Sequence, residues 1–430
     1  MIGSAFINLW GERVGAISWN AERQVADFEY EPSFLSKGWD IAPLKMPISE
    51  SRGRIFSFNE LRGNLTFKGL PGLLADVLPD RFGNTLINTW LARTGRSADS
   101  MNPVEMLCFI GKRGMGALEF EPVVPKGKES STKLEVDSLV EIAEAILSGR
   151  KNFHASLSNH DEKELSDIIK IGSSAGGARA KALIAYNPET GEVRSGQADA
   201  PKGYTHWLIK FDGVQDNQTG TPQGYGRVEM AYHKMATDCG ITMTECRLLE
   251  ENGRAHFMTR RFDRIPNIGK IHVQTFCAMQ HYDFNNILDY SYEELFQTMR
   301  LLRLDYKQAE QLYRRMVFNV MARNCDDHAK NFAFTMDKNG QWALSPAYDV
   351  SYAYRPGSHW VSQQSLSVNG KRQGITRKDL LEVAKQISLK KADEVIGQVQ
   401  SVLENWKYYA EEYKVQPDLK MLIGNSFILY

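Results

Sequence analysis

The sequence contains little cysteine and no long apolar run. Its five cysteines are scattered over 430 residues, and none of them forms a Cys-x-x-Cys pair. An odd, sparse set of thiols argues against a disulfide framework and fits a reducing compartment. No stretch approaches the roughly 18 consecutive apolar residues that a membrane-spanning helix requires, so none is expected.

Net charge is absent as well. The 52 basic residues balance 52 acidic ones, which argues against a large, direct nucleic-acid footprint but leaves room for a local basic patch. The first residues lack a basic stretch followed by an apolar one, so no signal peptide is expected. We therefore expect a cytoplasmic location. A chain of 430 residues with 42% hydrophobic residues can form two or three domains.

The predicted elements change in type along the chain. Strand-like alternation and turn residues fill much of the first half, whereas helical spacing dominates from about residue 285. The polar stretch 125–133 is typical of a linker. Strands are predicted in a hairpin over 7–17 that turns at Gly11-Glu12, at 181–186, at 205–211, and on both sides of Glu251–Gly253. Helices are predicted at 70–95 with a break near Pro79, at 134–148, at 227–239 ending at Gly240, and at 390–413.

The most informative segment runs from Asp326 to Asn331 and is followed by Asp349. An Asp, an Asn five residues later and a second Asp beyond a hairpin reproduce the spacing of the catalytic loop and metal-binding Asp of protein kinases. A base there faces the substrate hydroxyl, while an amide oxygen and a carboxylate hold Mg²⁺ against the nucleotide phosphates. Each residue alone also fits a helix cap or a turn, and the set of three favours a metal–nucleotide site.

A hairpin is predicted between Asn331 and Asp349. Residues 332–336 and 341–345 partly alternate in polarity, and Asn339-Gly340 between them is a strong turn signal. Because a hairpin returns the chain to the edge from which it left, it would bring Asp349 back beside Asn331.

A second group of candidate residues lies earlier in the chain. Glycines in the segment 172–181 could let backbone N–H groups surround a phosphate, although Gly/Ser segments are also common linkers. Lys210 interrupts the apolar strand 205–211, which fits either an exposed strand face or a phosphate contact. Glu229 opens the next helix and is the candidate ion-pair partner of Lys210. The order of all these groups along the chain is that of a kinase.

Together these segments make the chain resemble the HipA family, the kinase toxins of bacterial toxin–antitoxin modules. The resemblance extends over nearly the whole length. Its strongest motifs are Ser174–Lys181, Arg261–Arg264, Asp326–Asn331 and Tyr348-Asp349. Its N-terminal motifs are Arg13–Gly15, Phe28–Tyr30, Leu78–Asp80, Ile110-Gly111 and Gly116-Ala117.

The resemblance implies a fold class and a set of partners. The implied fold is α+β, two-lobed and protein-kinase-like, with an extra N-terminal subdomain at 1–123, a mixed α/β lobe with the glycine loop at 134–265, and a mainly helical lobe at 266–430. ATP and Mg²⁺ are the implied cofactors. The implied substrate is a Ser or Thr of a cellular protein, for which the translation machinery is a candidate. The implied partner is a HipB-like helix-turn-helix antitoxin, through which DNA is mainly contacted, and no membrane is involved.

The resemblance also assigns roles in the catalytic segment. Asp326 becomes the base, Lys330 a second catalytic residue that stabilises the transferring phosphoryl group, and Asn331 and Asp349 the Mg²⁺ ligands. Departures from the family pattern are Arg260, where an acidic residue is frequent, and Ala180, where Pro or Glu is. Neither departure removes a catalytic group.

The implied nucleotide-binding residues extend over both halves of the chain. They are Ser174, Ala175, Gly176, Gly177, Ala178, Lys181, Lys210, Arg260, Phe262, Asp263 and His328. Ser174, or the adjacent Ser173, is the implied autophosphorylation site, and its phosphate would switch the kinase off.

Two other interpretations remain open at the level of the sequence. A kinase of the same fold could act on a small molecule or a lipid, because the catalytic core is shared. A nucleotide-holding co-repressor could act only through a DNA-binding antitoxin, although the intact Asp326, Asn331 and Asp349 argue against a dead kinase.

Overall fold

The computed structural model describes residues 2–93, 95–97, 100–122, 136–147, 172, 179–196, 200–214 and 224–430. The chain divides into two compact units. The first comprises residues 1–40, 46–226 and 247–272, and the second comprises residues 41–45, 227–246 and 273–430. None of the described helices is both long and apolar enough to cross a bilayer.

The first unit begins with a five-stranded antiparallel sheet in the order β4-β3-β2-β1-β5. Its strands are β1 Ser4–Leu9, β2 Glu12–Asn20, β3 Val25–Tyr30, β4 Ile55–Ser57 and β5 Leu118–Pro122. The first hairpin is confirmed, but it turns at Trp10-Gly11, where both residues have positive φ. The helices of this part are α1 Pro32–Leu35, α2 Gly72–Ala75, α3 Arg81–Arg93 and α4 Pro103–Ile110. The predicted break near Pro79 therefore separates α2 from α3.

A second five-stranded sheet of the first unit has the order β7-β6-β8-β10-β9. Its strands are β6 Lys181–Tyr186, β7 Val193–Ser195, β8 Thr205–Lys210, β9 Cys246–Glu251 and β10 Arg254–Arg260. The two-stranded β11 Arg264–Ile265 and β12 Gly269–Lys270 follow. These bounds confirm the strands predicted at 181–186, at 205–211 and around Glu251–Gly253. Helix α5 Val136–Leu147 confirms the helix predicted at 134–148.

One core joins α3, α5 and the second sheet. It contains Phe82 and Leu86 of α3, Leu139 of α5, and Trp207 and Ile209 of β8. Because α3 belongs to the predicted subdomain 1–123, the two predicted N-terminal parts share a core within one compact unit. The linker predicted at 125–133 lies outside the described residues. The three-part division of the chain stays a prediction.

The second unit is mainly helical. Its helices are α6 Tyr225–Asp238, α7 Phe276–Gln280, α8 Tyr292–Leu301, α9 Tyr306–Met321, α10 Arg377–Gln386, α11 Ala392–Glu404, α12 Trp406–Glu412 and α13 Pro417–Gly424. Helix α6 ends as predicted at Gly240, which has φ +77°, and the Ile241 N–H bonds the Ala236 carbonyl across the end at 3.0 Å. Helix α9 is capped by Asp305, the residue before its first turn, whose carboxylate accepts the Gln308 N–H.

The single helix predicted over 390–413 is wrong, because α11 and α12 are separate. Asn405 stands between them with ψ near 13°, and its side chain donates to the Ser401 carbonyl at 2.8 Å. An Asn side chain that bonds the preceding turn competes with helix continuation. The apolar residues whose spacing predicts one helix face over this stretch are nevertheless all buried: Ile396, Val399, Leu403, Trp406 and Ala410.

A three-stranded sheet completes the second unit, in the order β13-β14-β15. Its strands are β13 His272–Thr275, β14 Ala333–Met336 and β15 Trp342–Leu344. Strands β14 and β15 form the predicted hairpin, with Phe334 opposite Leu344 and Met336 opposite Trp342. The turn is closed by the Asp337 carboxylate, which accepts the Asn339 and Gln341 N–H groups. The predicted hairpin is confirmed.

Candidate functional site

The segment that is predicted to be catalytic, Asp326–Asn331, follows the C-terminal end of α9. The chain leaves the helix at Met321 and forms a short 3-10 turn over Ala329–Asn331. The Asp326 side chain is 48% exposed, so its carboxylate is available to a substrate. The amide of Asn331 donates to the backbone carbonyl of Asp326 at 2.6 Å, which joins the two ends of the predicted loop.

Asp349 is placed by the residue before it. The Tyr348 hydroxyl donates to the Lys330 carbonyl at 2.7 Å, so the residue before Asp349 is bonded to the residue before Asn331. The Ser345 N–H bonds the Ala333 carbonyl at 3.0 Å and closes the base of the hairpin. The hairpin thus returns Asp349 toward Asn331, as the spacing predicts. Asp349 has φ +51°, in the left-handed region that a turn rather than a strand requires.

His328 and Lys330 lie beside Asp326. The His328 Nε2 atom is 3.8 Å from the Asp326 carboxylate, and the His328 Nδ1 atom accepts the Lys330 N–H at 3.3 Å. The Phe284 ring packs against both side chains, with 5.2 Å between its centroid and that of His328 and 5.0 Å to the Lys330 Nζ. Phe284 carried no signal in the sequence, because an aromatic residue outside the motif has no spacing to identify it.

The donor atoms of Asn331 and Asp349 fit a magnesium ion. Since the Asn331 amide nitrogen is used by the Asp326 carbonyl, its carbonyl oxygen remains as an acceptor. Mg²⁺ in phosphoryl-transfer sites is commonly bound by one or two protein oxygen ligands together with substrate phosphates and water. Among the described residues, no three His, Cys, Asp or Glu side chains gather as a metal-binding group, so an all-protein cage is not formed there. The Mg²⁺ assignment stays a prediction.

Asp327 is buried next to the predicted base, which the sequence does not indicate. Its carboxylate is buried and accepts hydrogen bonds from the Tyr292 hydroxyl at 2.7 Å, the Gln364 amide at 2.9 Å and the Ser365 N–H at 2.7 Å. Burial raises the pKa of Asp327 to about 6, although these hydrogen bonds oppose the rise. An Asp adjacent to the motif Asp could have been singled out, but nothing in the sequence shows that it points inward.

The first unit carries the predicted phosphate-binding lysines. Lys210 ends β8 and stands directly opposite Lys181 of β6 and Phe257 of β10. The Lys210 Nζ lies 5.7 Å from the centroid of the Phe257 ring. Residues directly opposite on antiparallel strands face the same side, so two like charges are placed together, which costs free energy unless anions are near.

Lys181 already has an anionic partner. Its side chain is 2% exposed, and its Nζ lies 3.2 Å from the Asp80 carboxylate. Asp80 also accepts the Gly83 N–H at the start of α3. Ser173, Ser174, Ala175, Gly176, Gly177 and Ala178 of the glycine loop lie outside the described residues.

The stretch from Arg260 to Asp263, which the resemblance implies to be the hinge beside adenine and ribose, is divided between surface and interior. Arg260 and Phe262 are half-buried, whereas Asp263 is fully buried. The Asp263 carboxylate bonds Arg261 at 2.7 and 2.9 Å, Arg264 at 2.7 Å and the Gly116 N–H at 2.7 Å. Burial alone would raise the pKa of Asp263, but the two guanidinium charges outweigh it and hold the pKa well below its usual range.

This cluster connects the predicted hinge to the N-terminal part of the first unit. Arg261 and Arg264 also donate to the Gly114 carbonyl at 3.0 and 2.9 Å. The Asp263 carboxylate is therefore engaged on all sides by protein groups. Its nucleotide-binding role stays a prediction, as do those of Arg260 and Phe262.

Glu229 lies on α6 and is buried. Its side chain is therefore not on an exposed helix face. Its predicted pairing with Lys210 stays a prediction.

Comparison with known proteins identifies related families and folds. The HipA N-terminal domain model matches residues 5–121, and the HipA-like C-terminal domain model matches residues 173–406. HipA in the Shewanella oneidensis MR-1 complex with HipB and operator DNA is 16% identical, with a TM-score of 0.70, over 98% of this chain and 94% of that one. The match confirms the predicted α+β, two-lobed, kinase-like fold.

A curated protein also matches part of the sequence. The protein Y4dM of Sinorhizobium fredii is 28% identical over 160 residues, which are 34% of this chain. The match spans 36% of the length of that relative. It shows similarity over about a third of either chain.

Proposed function

Because the chain belongs to the HipA family, we propose that it is an ATP- and Mg²⁺-dependent serine/threonine protein kinase and the toxin of a toxin–antitoxin module. The observation that carries this proposal is the geometry of the catalytic segment. An exposed Asp326 carboxylate lies on a loop whose ends are joined by Asn331, and Tyr348 holds the approach to Asp349 against the same loop.

The residues of the loop divide the work of phosphoryl transfer among them. Asp326 accepts the proton of the substrate hydroxyl and orients its oxygen for attack. Lys330 lies within the same turn and places a positive charge near the phosphoryl group in transfer. Asn331 and Asp349 would hold Mg²⁺, which supplies charge neutralisation at the β- and γ-phosphates. Positioning and electrostatics of this kind can account for most of the rate enhancement of such a reaction.

We assign nucleotide binding to the glycine loop, to Lys210 and to the residues implied by the family. The position of Lys210 at the end of β8 supports this assignment, since a half-buried lysine at the end of a strand can attract a phosphate. Lys181 is held by Asp80, so its part is to fix the strand that follows the loop. Lys210 is the residue expected to touch phosphate.

Self-phosphorylation at Ser174, or at Ser173, would regulate the enzyme. A phosphate adds roughly −1.5 to −2 charges at neutral pH. A glycine loop that surrounds ATP phosphates would then hold one anion where another must bind, so ATP affinity should fall. Ser174→Asp should reproduce this only in part, because it carries less charge and fewer acceptor oxygens.

A HipB-like helix-turn-helix protein is the proposed partner, and most DNA contacts would be made by it. The Shewanella oneidensis structure, which contains HipA, HipB and operator DNA, supports this choice. The balanced net charge of the present chain agrees with a minor direct role in DNA binding. A cytoplasmic location and a Ser/Thr protein substrate complete the proposal.

The decisive experiment compares the wild-type protein with Asp326→Ala. Purified protein is incubated with Mg²⁺ and γ-labelled ATP, and the modified residue is mapped by mass spectrometry. Label on Ser174 or Ser173 in the wild type only would support the kinase, and phosphoproteomics after controlled expression would then identify its protein substrates.

The same experiment separates the other interpretations. Label that appears only on an added lipid or small molecule would favour a different kinase. ATP binding without any transfer, combined with repression through the antitoxin, would favour a co-repressor. Undiminished autophosphorylation of Asp326→Ala would overturn the catalytic assignment.

A further inference from the structure

The residue that follows the predicted base points into the protein. Asp327 is 1% exposed, whereas the side chain of its neighbour Asp326 is 48% exposed. Adjacent residues of a loop therefore send one carboxylate to the surface and the other to the interior. A buried carboxylate is costly unless its oxygens are fully hydrogen-bonded.

Three donors from two other segments meet this requirement. The Tyr292 hydroxyl comes from the start of α8, while the Gln364 amide and the Ser365 N–H come from the chain that follows β15. None of the three donors is a cation. The contacts are consequently directional hydrogen bonds rather than a single ion pair, and three directions fix a carboxylate in position.

The donors are themselves held in place by further hydrogen bonds. The Tyr292 oxygen accepts from the Asn319 amide at 3.0 Å, and the Asn319 side-chain oxygen accepts from the Asn324 amide at 2.9 Å. The Gln364 amide also donates to the Asn324 carbonyl at 3.2 Å. The network therefore begins and ends on the segment that precedes Asp326.

Cys325, on the other side of Asp326, is bonded through all of its polar groups. Its N–H donates to the Ala353 carbonyl at 3.0 Å, its carbonyl accepts from the Ser365 hydroxyl at 3.1 Å, and its thiol donates to Gln364 at 2.9 Å. Asp326 thus lies between two residues that are fastened to the same segment, 364–365. Its own side chain is the one that faces outward.

We infer that Asp327 is a positioning residue, whose hydrogen bonds to Tyr292, Gln364 and Ser365 fix the backbone from which Asp326 presents its carboxylate to the substrate hydroxyl. This inference rests on the proposed kinase function. The carboxylate does not touch the substrate and acts only through its neighbour. Its two oxygens accept all three bonds in the structure.

The mildest test removes one donor and leaves the carboxylate intact. Tyr292→Phe keeps the ring that packs on Phe332, with 5.6 Å between the centroids, and deletes only the hydroxyl. Asp327→Asn is the stronger variant, since an amide presents hydrogen atoms where an acceptor is needed. Asp379→Asn is the matched control, because Asp379 is also buried and accepts from Thr376, Lys371 and Asn369, none of which is a donor to Asp327.

Two readouts are measured on the full chain. The first is kcat and KM for ATP, and the second is amide hydrogen exchange in peptides covering residues 324–331. For Tyr292→Phe and Asp327→Asn, kcat should fall roughly 10- to 100-fold, because a small displacement of a catalytic group is enough for such a loss. KM for ATP should change by less than about twofold, since nucleotide binding is not touched. Exchange should become faster at 324–331.

Asp379→Asn should alter exchange near α10 and leave kcat unchanged. Unchanged kcat and exchange at 324–331 in Tyr292→Phe would overturn the inference, as would an equal loss of kcat in Asp379→Asn. If the wild type transfers no phosphate, the proposed function fails. Faster exchange at 324–331 in Tyr292→Phe would then still show that the hydrogen bonds of Asp327 fix the backbone of this loop.

Discussion

In the second unit, the motif residue Asp326 is exposed on a loop whose neighbours are fastened inward, whereas in the first unit the motif residues Lys181 and Asp263 are buried in ion pairs. Both regions contain charged residues that the family pattern marks. In the segment Asp326–Asn331, the marked charge of Asp326 faces solvent while its neighbours Cys325 and Asp327 are hydrogen-bonded inward.

The difference teaches that a shared motif contains two kinds of charged residue. Exposed charges such as Asp326 can be reached by a substrate. Buried charges such as Lys181 and Asp263 are placed to join segments that are distant in sequence, since Asp80 and Gly116 lie about a hundred residues or more away. Removing one charge at a time distinguishes residues that meet a substrate from residues that join distant segments.

The largest effect is expected at Asp326. Asp326→Ala should lower phosphoryl transfer by roughly 10²- to 10⁴-fold, because a general base is lost. Its melting temperature should stay close to that of the wild type, since the side chain is half exposed. Kinase assays and thermal melts on the same preparations check both statements. An Asp326→Ala protein that is inactive only because it has unfolded would break the comparison.

Asp263→Asn should destabilise the protein without touching the catalytic loop. Breaking a buried pair by neutralising one partner costs about 3–5 kcal/mol, because two guanidinium groups lose their counter-charge. Urea unfolding measures this loss.

The pH dependence of Asp263 follows from its lowered pKa. The folded-state pKa is below the ordinary value of 3.8, so the stabilisation is present above that value and is lost as the pH falls below it. The difference in unfolding free energy between wild type and Asp263→Asn should therefore shrink on acidification. A constant difference down to low pH would contradict the assigned charge state.

The two opposed lysines provide the third prediction. Lys210→Met should weaken ATP binding by roughly 10- to 100-fold, the loss expected for a charge-assisted hydrogen bond, and keep the fold. Lys181→Met should instead cost about 3 kcal/mol of stability, because Asp80 would be left unpaired in a largely buried place. Calorimetric titration and urea unfolding distinguish them. Unaltered ATP affinity in Lys210→Met would make it an ordinary strand residue.

The smallest effect is expected at an exposed ion pair. Lys37 and Glu12 are 2.8 Å apart, but both side chains are more than a third exposed. Lys37→Ala should change the free energy of unfolding by at most about 1 kcal/mol. A cost comparable to that of Asp263→Asn would show that charge pairing, rather than burial, sets the scale.

Much of this organisation could be predicted from the sequence. The β14–β15 hairpin follows from Asn339-Gly340 between two alternating arms, and α6 ends at Gly240, because short-range turn and cap chemistry determines both. The Asp326, Asn331 and Asp349 set was found because its members are close in sequence and their spacing is regular.

Long-range contacts could not be predicted in the same way. Asp80 meets Lys181 across 101 residues, and Gln364 meets Asp327 across 37. Such pairs leave no local pattern, and a buried Asp looks like an exposed one in the sequence. The division of 390–413 at Asn405 was missed for a different reason, because an apolar face continues across the break.

The sealed thiol of Cys325 has a consequence for oxidative stress. Burial raises the pKa of Cys325 well above its usual range, and its thiol donates a hydrogen bond to the Gln364 side-chain oxygen. Peroxides attack the thiolate and need access to it, and Cys325 offers neither the anion nor a path. An exposed cysteine next to Asp326, the predicted base, would otherwise be a site where sulfenic acid could form. The thiol that precedes the predicted base is therefore shielded from direct oxidation by its burial.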